Sequence, residues 1–164
     1  MTILHLVLAA AAALFVFAAI GDVRRYLIPN AFSLGLAALF GVYAFLTPAG
    51  LSWPGHLTAG TAAFAVGAGL FYMGAMGGGD VKLLAAAALW AGPQGLADLL
   101  LVVAVAGGAV ALVMLAAARL SRTPATAPSG DAAPSAAKQR VPYGVAIAAG
   151  GLWSLAGLAA GTGV

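Results

Sequence analysis

Apolar runs separated by short polar or Gly/Pro-rich breaks make up nearly all of the 164 residues. A membrane-crossing helix needs roughly 20 predominantly apolar residues, with a range of about 17–25. On that measure the runs predict an all-α, polytopic membrane protein, a bundle of about six helices at roughly 3–20, 30–46, 57–76, 81–91, 96–118 and 142–160. The first run stops at "GDVRRYLIPN", and Asn30 is expected to cap the second. "TPAGLSWPGH" ends the second run, the glycines of "MGAMGGGD" end the third, and "GPQG" is expected to turn the chain between the fourth and fifth.

The stretch between the fifth and sixth runs, "RLSRTPATAPSGDAAPSAAKQRVP", is too rich in Pro, Ala and Ser to bury a core of its own. It reads as a mobile loop at about 119–141. No other segment resembles a linker, so the whole of 1–164 is expected to form one domain. The opening run has no basic residue before it and its positive charges follow it, which favours a retained helix over a cleaved signal peptide.

Composition fits this outline: 63% of residues are hydrophobic and 7% are charged, far from an ordinary soluble domain. A net charge of +3 is no sign of nucleic-acid binding here, because the basic residues are scattered between apolar runs. All seven Lys and Arg residues, Arg24, Arg25, Lys82, Arg119, Arg122, Lys138 and Arg140, fall in the breaks at 22–29, 77–82 and 119–140. By the positive-inside rule those three breaks face the cytoplasm, which puts both termini on the other side. The absence of cysteine excludes disulfides, thiolate zinc sites and cysteine nucleophiles.

Four aspartates and no glutamate supply all the negative charge. Asp131 falls in the expected loop and reads as solvated, and Asp98 suits the start of the fifth helix through the helix dipole. Asp22 and Asp80 differ, because the outline places both at one membrane depth, at the cytoplasmic ends of their helices. Carboxylates that deep tend to face a bundle interior or a wet cavity. Two that approach closely cannot both ionise readily, and such a pair can activate water and protonate a leaving group. The competing structural roles are an offset of Arg24 and Arg25 by Asp22, and a helix cap by Asp80 with Lys82 as partner.

The glycines before Asp80 permit unusual backbone angles or the close approach of another chain. A phosphate cradle is disfavoured, since the Gly-Lys-Ser/Thr ending is missing and an aspartate would repel the anion.

"GGGD" at 77–80 resembles the Gly-x-Gly-Asp motif of intramembrane aspartic peptidases. "DVRRYLIPN" at 22–30 is similar to the first aspartate motif of type IV prepilin peptidases. "VPYGVAIAAGG" at 141–151 resembles the opening of the last helix in the short members that serve tight-adherence (Flp) pili. The resemblance spans nearly the whole chain. It implies a multi-pass protein of the bacterial inner membrane that cuts the leader from prepilins at the cytoplasmic face, with Asp22 and Asp80 as the catalytic pair and no cofactor or metal.

Gly77, Gly78, Gly79, Lys82, Asn30 and Tyr143 are the accompanying candidates for substrate contacts. Lys82 is equally open to a snorkelling role and Tyr143 to that of an interfacial anchor. His5 and His56 fall near the opposite face and are expected to take no part. The larger members carry a cysteine-bearing cytoplasmic segment and are associated with N-methylation; this chain lacks both the segment and the cysteines, so peptidase activity alone is expected. The implied partners are a prepilin and the lipid bilayer. Two other readings compete: a different Gly-x-Gly-Asp intramembrane protease, and a small proton or cation transporter using both aspartates. Against the transporter, no repeated half with two broken helices is visible.

Overall fold

The computed structural model describes residues 2–47, 51–120 and 142–161, and all of its regular structure is helical. Five helices follow in order: α1 (Ile3–Arg25), α2 (Asn30–Leu46), α3 (Trp53–Tyr72), α4 (Gly78–Leu120) and α5 (Tyr143–Ala160). Helix is the economical state for such a chain, because lipid offers no partners to exposed backbone groups. Of these, α1, α4 and α5 are long and apolar enough to cross a membrane, and α2 is a shorter apolar helix of 17 residues. The expected loop at 119–141 lies almost wholly outside the described residues, as does Asp131.

The six separate helices expected from the apolar runs are corrected at one point. The turn expected at "GPQG" is a break inside α4, where Gly92 takes φ 67° and ψ −178° and Pro93 follows. A left-handed φ is open to glycine and strained for other residues, while the proline ring removes one helical hydrogen bond. The carbonyl of Leu89, four residues before Pro93, therefore lacks its usual N–H donor. The Nδ1 of the buried His56 lies 2.8 Å from that oxygen and replaces the donor. A methyl group on Gly92 would stand 2.5 Å from the same imidazole, so the glycine also makes room for the histidine.

Aromatic packing locks this region. Trp90 is completely buried, its Nε1–H donates to the Leu36 carbonyl at 3.0 Å, and its ring meets Phe40 edge-on with centroids 5.5 Å apart. Phe40 in turn contacts the His56 ring at 5.2 Å. His56, expected to stay out of the chemistry, holds the break in α4 together.

α3 starts and stops earlier than expected, because Pro54 is accommodated in its first turn and Gly74, at φ 70°, closes it before the glycine run. α4 is the central element and packs against α2, α3 and α5, while α1 packs on α2 and α5. Small residues set these distances. Methyl groups on Gly67 or Gly151 would fall 3.0 Å from Val81 and 2.4 Å from the Phe15 ring, respectively.

Candidate active site

Asp22 occupies the last two turns of α1 and is one of four buried polar or charged residues among those described. Its carboxylate Oδ2 accepts a 2.7 Å hydrogen bond from the N–H of Gly144 and is within reach of the Val145 N–H. Both donors belong to the first turn of α5, where helical N–H groups have no intrahelical acceptor and the dipole favours negative charge. The two basic neighbours play no such part: Arg24 and Arg25 are exposed, and no ion pair ties them to Asp22 among the described residues.

Asp80 is the third residue of α4, and its carboxylate reaches back to the N–H of Gly77. This is the acidic half of a capping box, in which the third helical residue satisfies the residue before the helix. Each aspartate thus sits at the start of a helix, Asp80 at its own and Asp22 at that of α5. Capping and chemistry are compatible, because a carboxylate tied to backbone N–H groups is fixed in position. The two side chains line one cavity of about 210 Å³, together with Tyr26, Leu27, Ile28 and the three glycines Gly77, Gly78 and Gly79. They are close enough to interact electrostatically.

The glycines do different work from what the motif suggests. None of Gly77, Gly78 and Gly79 has a positive φ, so unusual backbone angles are not their reason. At Gly79 close approach is the reason, and the approaching chain is the protein's own; at Gly77 it is the Asp80 carboxylate that needs the space. A methyl on Gly79 would lie 3.1 Å from Ile28 Cβ, and one on Gly144 would lie 2.7 Å from both Ile28 Cδ1 and Asp22 Oδ2. Ile28 is buried between these two helix starts and ties the 26–29 segment to the site.

That segment turns through Tyr26, whose φ of 49° is the one positive value outside glycine among the described residues. Its N–H closes α1 by donating to the Asp22 carbonyl at 2.8 Å. Glycine is the usual occupant of such a cap.

The remaining candidates are placed elsewhere. Lys82 does not meet Asp80; its Nζ donates to Asn30 Oδ1 at 2.9 Å, and both residues line a separate, larger groove. Nor does Asn30 cap α2, since it is the first helical residue, preceded by Pro29, and makes no capping bond. Tyr143 is 39% exposed beside Gly144 and is absent from the cavity wall. Gly144, Ile28 and Tyr26 were not singled out from the sequence, although each lies inside a quoted motif. The signal for Gly144 was a glycine two residues into a helix that begins at the depth of the aspartates.

Residues 8–112 match the family model described as the type IV leader peptidase family. That span contains both aspartates and ends before α5. No curated protein and no solved structure matches the chain.

Proposed function

Because the chain belongs to the type IV leader peptidase family, we propose that it is an aspartic endopeptidase that removes the leader from type IV prepilins, those of tight-adherence (Flp) pili, at the cytoplasmic face of the bacterial inner membrane. The observation that carries this reading is that Asp22 and Asp80, from two different helices, share one small cavity at the helix ends. Two carboxyl groups in such a space hold one proton between them. The ionised member takes a proton from water as its oxygen attacks the scissile carbonyl carbon, and the protonated member gives its proton to the carbonyl oxygen. Collapse of the tetrahedral intermediate breaks the C–N bond, with the proton passing to the departing amine.

The other site residues have supporting parts. Gly144 and Val145 hold Asp22 through backbone N–H groups, and Gly77 holds Asp80. Gly77 and Gly78 form the wall along which the substrate backbone lies, while Ile28 covers Gly79. Arg24, Arg25 and Lys82 stand at the same helix ends as the aspartates, which supports a cytoplasmic location for the cavity. With the two arms of α4 counted separately at Gly92, the single domain crosses the bilayer six times and leaves both termini outside the cytoplasm.

The test is reconstitution. The purified protein in lipid is mixed with a prepilin bearing its leader, and the product is read by mass. A single cut at the leader junction is expected. An intact prepilin, with proton or cation flux through the same liposomes, would replace the peptidase by a transporter. For topology, a reporter inserted between Arg119 and Arg140 is expected to be cytoplasmic, and exposure on the other side would overturn the orientation.

A further inference from the structure

Asp80 and Lys82 are two residues apart on α4, about 200° around a helix of 3.6 residues per turn. The lysine therefore faces away from the carboxylate cavity, into a groove of about 490 Å³ bounded by α2, α3 and α4. The charged and amide groups of the groove are gathered at one end. Lys82 and Asn30 meet there, and one turn further along α2 lies Ser33, whose buried hydroxyl has no hydrogen-bond partner. Beyond that turn the walls are apolar apart from Thr61, from Ala37 on α2 to Leu57 and Phe64 on α3.

We propose that this groove holds an anionic phospholipid, with its phosphate on Lys82 and Asn30 and an acyl chain along the apolar walls. Three features carry the choice of occupant. The bond to Asn30 uses one of the three donors of the ammonium group, and no carboxylate pairs with Lys82 among the described residues, so its charge is left to an anion from outside. A buried hydroxyl without a partner is uncommon, and Ser33 stands at the depth where a glycerol ester would follow the phosphate. Finally, a substrate helix lying here would have the first turns of α4 between itself and the two aspartates, which suits a lipid better than a chain awaiting cleavage. The proposal uses no catalytic step, so it stands or falls apart from the leader peptidase reading.

Lipid binding to the purified protein, followed by native mass spectrometry with phosphatidylglycerol and phosphatidylcholine, tests it. One lysine near a lipid headgroup supports a preference of about fivefold for the anionic lipid. Wild type is expected to show that preference, Lys82→Arg to keep it and Lys82→Gln to lose it. Ala37→Phe, at an exposed position that blocks the groove without entering the core, is expected to weaken binding of both lipids. An unchanged preference in Lys82→Gln would overturn the proposal, as would undiminished binding in Ala37→Phe. Displacement of the bound lipid by a leader-bearing prepilin would assign the groove to the substrate instead.

Discussion

The carboxylate of Asp22 and the backbone N–H of Gly144, 122 residues apart in sequence, are joined by a 2.7 Å hydrogen bond. The contact needs a residue without a side chain, because a methyl at 144 would stand 2.7 Å from the carboxylate oxygen it serves. Gly144→Ala is therefore expected to displace Asp22 and lower kcat/KM for leader cleavage at least tenfold. The comparison is Gly151→Ala, which drives a methyl into the Phe15 ring away from the site. Overpacking of that kind costs about 1–3 kcal/mol of stability. Thermal unfolding and cleavage measured on both variants separate the two effects: loss of activity dominates at 144 and loss of stability at 151.

Tyr26 holds a left-handed backbone without being buried, at 47% exposure. A residue with a Cβ in that conformation costs roughly 1–2 kcal/mol more than in the ordinary helical one. Tyr26→Gly is expected to stabilise the protein by about 1 kcal/mol, somewhat less than the full strain because glycine also gains freedom in the unfolded chain. Thermal unfolding in a fixed detergent reads this. A loss of stability would show that the ring packs more tightly than its exposure indicates.

His56 supplies the donor that Pro93 cannot. Removing it leaves the Leu89 carbonyl unpaired in a partly buried setting, a penalty of about 1 kcal/mol or more, and opens space beside Phe40 and Gly92. His56→Ala is expected to lower stability by at least that amount, and His56→Gln, whose amide can donate to the same oxygen, to recover part of it. Cleavage by the folded fraction is expected to stay near wild type, since His56 lies in the first turn of α3 and Asp80 follows beyond that helix's other end. A selective loss of kcat with stability intact would give His56 a place in the chemistry.

The helices were legible in the sequence because lipid allows few alternatives, and runs such as 30–46 carry no competing signal. Asp22 and Asp80 stood out for a related reason: in a chain with four acidic residues, two at one depth are conspicuous. Side-chain direction was the illegible part. Lys82 beside Asp80 reads as a local pair, yet two residues along a helix place them on opposite sides, and Asn30, 52 positions away, takes the lysine. Gly79 similarly reads as room for a ligand, while the room is filled by Ile28, a contact that only the tertiary fold creates. The break at Gly92 was visible as a turn signal, but whether the chain leaves the helix there depends on His56 in another element.

The proposed paired-carboxylate mechanism also fixes the shape of the pH profile. At low pH both aspartates hold protons and no base remains; at high pH both are ionised and no acid remains. Cleavage is expected to rise and then fall with pH, the two limbs belonging to the pair rather than to either residue. A single limb, measured across the range in which the protein stays folded, would mean that only one of the carboxyl groups takes part.

The pair itself is tested most directly by single-residue neutralisation. Asp22→Asn and Asp80→Asn keep the size of each side chain and an oxygen that can accept from Gly144 or Gly77, so the fold is expected to survive in both. Leader cleavage of a prepilin by each purified variant is then measured beside wild type at equal concentration. Loss of cleavage by at least a thousandfold in both variants, with thermal stability retained, is expected if the two carboxyl groups act together on one water. Cleavage at the wild-type rate by either folded variant would contradict it.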